Sequence, residues 1–150
     1  MDVSPTPEDL ENSVVWSVIR AAHVLEREVT TLFASFQLSP VQFGVLSYLG
    51  AIGPMTRAEL ARSVLVRPQS ITGVIDCLEQ RGLLERIGPG GRGRANPVML
   101  TEAGDQLLGR VWPAFIRANE PYALGLETEQ ATTLMHTMRT LLAARTPMQP

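Results

Sequence analysis

Short polar side chains and arginines at the start of a helix can hydrogen-bond to base edges and phosphates, and the stretch Arg67-Pro68-Gln69-Ser70-Ile71-Thr72-Gly73 has that composition. Pro68 suits a first helical position, because its fixed φ and missing N–H cost nothing there. With Ile71 as the zero of a helical wheel, Val74, Ile75 and Leu78 fall within roughly 60° of it at about 100° per residue. That face is a core face. Gln69, Thr72, Gly73, Asp76 and Gln80 share the opposite one, which is what a helix entering a major groove presents. Downstream, Gly88-Pro89-Gly90-Gly91-Arg92-Gly93-Arg94 lies between two short strand candidates, Leu84 to Ile87 and Val98 to Leu100. A hairpin of this kind places Arg92 and Arg94 at its tip, within reach of phosphate or a minor groove.

These residues need elements to hold them. Thr56 and Glu59 form a Thr-x-x-Glu capping box, so a helix is expected to start there and end near Val64. With the helix from Pro68 it makes a helix-turn-helix, and the hairpin adds a wing. Ser39-Pro40-Val41-Gln42 opens an earlier helix that carries Phe43, Leu46, Tyr48 and Leu49. Before it, Glu8 to about Phe36 reads as one long amphipathic helix. After the wing, Thr101 caps a helix with Leu107, Leu108, Val111, Trp112, Phe115 and Ile116, in which Pro113 predicts a kink or an early stop. A last helix, roughly 127–144, is expected to bury Leu134, Met138, Leu141 and Leu142.

The composition agrees with a globular chain: 150 residues, 45% hydrophobic and 19% charged. The net charge of −2 does not suit a DNA-binding chain, but it is unevenly distributed. Residues 57–94 carry seven arginines against four acids, net +3, and the remainder six against eleven, net −5. All basic residues are arginine. No apolar run has the length of a membrane span, and the first residues lack the apolar stretch of a secretion signal, so the cytoplasm is the expected compartment. Cys77 is the only cysteine, which excludes an internal disulfide, and a small core or boundary role is expected for it. His23 and His136 stand at no metal-ligand spacing, and no cofactor motif is present. There is neither a nucleophile elbow nor a phosphate-cradling glycine loop opening a helix, so an enzyme is not expected.

The first and last helices lie outside the reading unit and are long or apolar enough to need a partner surface. The expectation is a twofold homodimer built from residues 8–36 and 105–145, around a winged helix-turn-helix lobe of residues 38–101, all in a single domain spanning 1–150. Asp76, negative on a face meant for DNA, is expected to orient an arginine, either Arg62 or one from the wing. Trp16, Arg20 and His23 on successive turns, with Tyr48 and Trp112, would suit an aromatic anion, the alternative being that they are dimer core.

The chain resembles the MarR family of bacterial transcriptional regulators along nearly its whole length. The resemblance rests on the segment Leu38 to Leu46, on Thr56-Arg57-Ala58-Glu59-Leu60-Ala61, on Leu78 to Arg86, and on Val98-Met99-Leu100-Thr101-Glu102-Ala103-Gly104, in that order. It implies a mainly α fold with a small β wing, an obligate dimer, binding to a pseudo-palindromic double-stranded DNA operator, and repression relieved by a small phenolic or other aromatic anion. Arg94 takes the place of the family's wing arginine. Arg92 stands where the family usually has an aspartate and cannot make that residue's ion pair. The alternative reading is a winged-helix module that binds protein without specific DNA recognition.

Overall fold

The computed structural model describes residues 4–89 and 96–145, in the order five helices, a two-stranded hairpin and two further helices. The chain divides into two compact units, Met1–Val111 and Trp112–Pro150.

In the first unit, α1 (Pro7–Glu11) opens on a capping box in which Thr6 and Asp9 exchange side-chain and backbone hydrogen bonds. The single helix expected from Glu8 to Phe36 is in fact two, because α2 (Val14–Ala34) has its own N-cap. Ser13 takes an extended backbone and its hydroxyl accepts from the N–H of Trp16 at 3.2 Å, which starts a new helix where the apolar periodicity alone shows no break.

The remaining elements of this unit follow their caps. Helix α3 (Pro40–Ile52) begins on the Ser39–Gln42 box and ends at Gly53, whose φ of 96° is costly for any side-chain-bearing residue. Helix α4 (Arg57–Ser63) begins on the Thr56–Glu59 box with Val64 as its C-cap, and α5 (Pro68–Gln80) begins at the proline. Strands β1 (Leu84–Arg86) and β2 (Val98–Leu100) pair antiparallel, Leu84 opposite Leu100 and Arg86 opposite Val98. Met55 exchanges two backbone hydrogen bonds with Val98, which ties the loop before α4 to the outer side of β2.

Helix α6 (Glu102–Ala118) is capped by Thr101, whose hydroxyl accepts from the N–H of Gly104 at 3.1 Å and donates to the carbonyl of Gly82 at 2.6 Å. It does not stop early at Pro113, its interior proline, but continues to Ala118. A side chain at Gly104 would collide with the backbone carbonyl of Leu83, so only glycine lets α6 lie this close to the end of the helix-turn-helix. The core of this unit is made of Val45, Leu46, Leu60, Ile71, Ile75, Leu78, Val98 and Val111, with Phe33 of α2 stacked on Phe43 at 4.2 Å between ring centres. Tyr48, expected among the apolar residues of α3, faces outward.

The second unit holds the end of α6, a 3-10 turn (Pro121–Leu124) closed by Gly125 in the left-handed conformation, and α7 (Thr128–Ala143). None of the α7 residues expected to be core is buried within the chain: Leu134 and Leu142 are exposed, Met138 and Leu141 half-buried.

Candidate nucleic-acid interface

Helix α5 presents two unlike faces. Ile71, Ile75 and Leu78 are buried, with Val74 half-buried beside them. Opposite them, Gln69 and Gly73 are exposed and Thr72 is half-buried, while Arg67, Pro68 and Ser70 stand exposed at the entry. The turn into the helix explains this placement. Val66 donates from its N–H to the carbonyl of Ala61 at 3.0 Å, and Leu65 adopts φ 56°, an uncommon conformation for a side-chain-bearing residue. Pro68 then biases Arg67 toward extended backbone, and Arg67 has φ −68° and ψ 147°. No side chain caps α5. The positive end of its dipole therefore lies next to Arg67 with no side-chain acceptor on it, which favours an anion there.

Among the described residues, nothing beyond the helix's own backbone and Gly73's two neighbours lies within 4 Å of where a Cβ on Gly73 would sit, so the space in front of that backbone is open.

Asp76 orients an arginine of the wing, as expected, and that arginine is Arg86 on β1. Arg86 donates from Nη2 to Asp76 Oδ1 at 2.9 Å, and from Nε and Nη2 to the two oxygens of Glu79, each at 2.7 Å. The Glu79 pair raises the pKa of Arg86 above its usual value, although desolvation opposes this. The fork of a guanidinium suits two parallel bonds to one carboxylate, so this ion cluster fixes the base of the wing against the recognition helix. It also neutralises one of the two negative charges that would otherwise meet phosphate. Glu79 was not singled out from the sequence, since its partner lies beyond a turn.

Arg92 and Arg94 lie outside the described residues. The two ends of the hairpin are described: Ile87 donates to the Pro97 carbonyl at 2.9 Å, and Asn96 Nδ2 donates to Pro89 O at 2.9 Å. Pro97 has no N–H to return, so the ladder stops there.

Trp16, Arg20 and His23 form one stripe along α2, all exposed, with His23 Nδ1 4.0 Å from Glu26. Tyr48 is exposed on α3. Trp112 belongs to the second unit, where its ring is tilted at 45° to that of Phe115, 5.6 Å between centres. Cys77 is exposed rather than core, and the side-chain N–H of Gln42 reaches its sulfur at 3.5 Å. Counting from Ile71, it lies past the buried arc, so the helix turns it out of the core.

Two short helices joined by a tight turn, with an outward polar face and a following hairpin, define a winged helix-turn-helix. The family is shown by comparison with known proteins. The MarR family profile matches residues 36–95. An HTH-type transcriptional repressor of Mycobacterium tuberculosis is 32% identical over 105 residues, 70% of this chain and 75% of that protein. The match to the regulator PecS of Dickeya dadantii is 27% identical and takes in 65% of this chain but only 61% of PecS. The chain belongs to the MarR family of transcriptional regulators. Solved structures share the fold: the organohalide-sensing regulator RdhR, bound to 2,4-dichlorophenol, has a TM-score of 0.80 at 20% identity, covering 99% of this chain and 90% of that one. The repressor CouR, bound to a 23-mer DNA duplex, has a TM-score of 0.78 at 23% identity, covering 94% and 99%.

Proposed function

We propose that this regulator binds a pseudo-palindromic DNA operator as a homodimer and represses transcription there, and that a small aromatic anion releases it. Arg67, Pro68, Gln69, Ser70, Thr72 and Gly73 make up the groove-facing surface, with Arg92 and Arg94 of the wing on phosphate or the minor groove. The observation that carries the reading is the division of α5 into a buried apolar face and an open polar one that begins at an uncapped N-terminus beside Arg67. Gln69 has the geometry for a bidentate pair with adenine, and the hydroxyls of Ser70 and Thr72 serve several bases. For release, Trp16, Arg20, His23, Tyr48 and Trp112 supply rings to stack on and a guanidinium for the anion. Among the known relatives, RdhR was captured with a chlorophenol. Ligand entry that changes the distance between the two lobes would spoil simultaneous docking.

Sequencing the genomic fragments retained by the purified protein tests the DNA reading. Enrichment of sites with two half-sites about 10 bp apart, centre to centre, is expected. On such a site Thr72→Ala should cost about 1 kcal/mol, the size of a single hydrogen bond, at one position per half-site and leave random duplex binding intact. Retention of no preferred sequence, or equal weakening on every duplex, would leave α5 as a surface that reads no base.

A further inference from the structure

The first unit contains an open cavity of about 730 Å³, away from the groove-facing residues and lined by none of the five effector residues named above. It is formed by the end of α2, the end of α5 and the first turns of α6. Arg81 and Arg110 line it together with Leu83 and Leu107, which form its floor, and Ala103 and Gln37 are among the other residues around it. Both leucines are buried, whereas both arginines are exposed.

Four features of this cavity point to one kind of ligand. No acid lines it, and neither Arg81 nor Arg110 has an ion-pair partner among the described residues. Arg81 is held in place, since its Nη1 donates to the carbonyl of Gln37 at 2.7 Å, using one of five donors and leaving the rest free. Gln37 itself sits at φ 56°, an uncommon conformation for a side-chain-bearing residue. Ala103 lies in the first turn of α6, whose positive dipole end favours an anion; the two acids of that turn, Glu102 and Asp105, are not among the lining residues. Along α6, Ala103, Leu107 and Arg110 share one face, so the guanidinium lies a turn beyond the apolar floor. Two guanidinium groups above buried leucines match a carboxylate with an apolar tail.

We propose that this cavity binds a small organic carboxylate, its head between Arg81 and Arg110 and its tail over Leu83 and Leu107. The occupied site would link Arg81, the C-cap of the recognition helix, to α6, giving the lobe a second ligand-sensitive point that is independent of the effector residues proposed above.

The test titrates hexanoate, and separately inorganic phosphate, into the full-length protein by calorimetry and by amide chemical shifts. Hexanoate is expected to bind at millimolar concentration or below, with shifts at Gln37, Arg81 and Ala103, and phosphate more weakly. Arg81→Gln and Arg110→Gln should each weaken hexanoate about tenfold or more, since each removes a charge-assisted hydrogen bond. Unchanged melting of the unliganded variants establishes that they are folded. No hexanoate binding, equal binding of phosphate, or hexanoate affinity unmoved by both variants would overturn the proposal. A mobility shift of the unliganded wild-type protein on random-sequence duplex reads DNA binding separately. DNA binding that persists while hexanoate fails discredits the cavity alone, and hexanoate binding without any DNA binding discredits the operator reading alone.

Discussion

The winged lobe and the two long helices α2 and α7 contain similar apolar residues put to different use. In the lobe, Leu46, Leu60, Ile75 and Leu78 have no exposed surface. Along α2, Val15 is 68% exposed, Ile19 40% and Leu25 43%, and on α7 Leu134 and Leu142 are 45% and 49% exposed. The lobe satisfies its own apolar surface. The long helices leave theirs in water, an arrangement that a second copy of the chain would relieve by apposing equivalent stripes across a twofold axis.

A charge placed on the exposed stripe separates the two regions most strongly. Ile19→Glu is expected to leave the lobe folded, because Ile19 contributes nothing to its core, and to convert a dimer into a monomer in sedimentation. Losing the second half-site contact should lower operator affinity about 10²–10⁴-fold. A variant that remains dimeric with full affinity would place the seam elsewhere and remove the explanation offered here for the exposed residues of α2.

What could be read from the sequence depended on how local each determinant was. The Ser39–Gln42 and Thr56–Glu59 boxes, Pro68 as a first helical residue, and the hairpin strands are each set by residues within a few positions, and each appears where expected. The break at Ser13 is local too, but the apolar spacing from Val15 onward resembles that of a longer helix and masks it. Interior Pro113 does not end α6: a proline removes one helical hydrogen bond, and the helix runs on to Ala118. Two features lay beyond sequence reasoning because they depend on tertiary placement. Arg86 meets Glu79 only once β1 folds back along α5, and the arginine-lined cavity draws on three separate segments.

Within the lobe, the two faces of α5 make a finer version of the same contrast, and Gly73 tests it. Alanine is better than glycine in a helix interior by about 1 kcal/mol, and a Cβ there meets no other element within 4 Å among the described residues. Gly73→Ala should therefore raise the melting temperature of the free protein. If DNA backbone or a base edge closes on this position, the same variant should bind its operator more weakly. Opposite signs in a melting curve and a mobility shift would identify Gly73 as a contact residue. Stabilisation with unchanged affinity would show that the groove face ends short of it.

The smallest expected effect concerns the helix starts, which differ between the regions in what depends on them. In α4 the Glu59 carboxylate accepts from the Thr56 backbone N–H at 2.7 Å and from its hydroxyl at 2.8 Å. These bonds, the backbone one first, hold its pKa below the usual 4.5. Asp9 of α1 is likewise held below 3.8, chiefly by the Thr6 hydroxyl and then its backbone N–H. A carboxyl with a depressed folded pKa stabilises fully above its unfolded value, and this stabilisation is lost as pH falls through the folded one. Glu59→Gln keeps an acceptor in the box but loses the charge. The melting difference between wild type and this variant should be present above pH 4.5, shrink below it, and vanish once Glu59 is protonated in the folded chain. Asp9→Asn should leave lobe melting unchanged at every pH, since α1 holds no buried residue. If Asp9→Asn moved that transition as much as Glu59→Gln does, the first turn would be part of the lobe's cooperative unit, and the boundary between self-sufficient lobe and exposed helices would have to move toward the N-terminus.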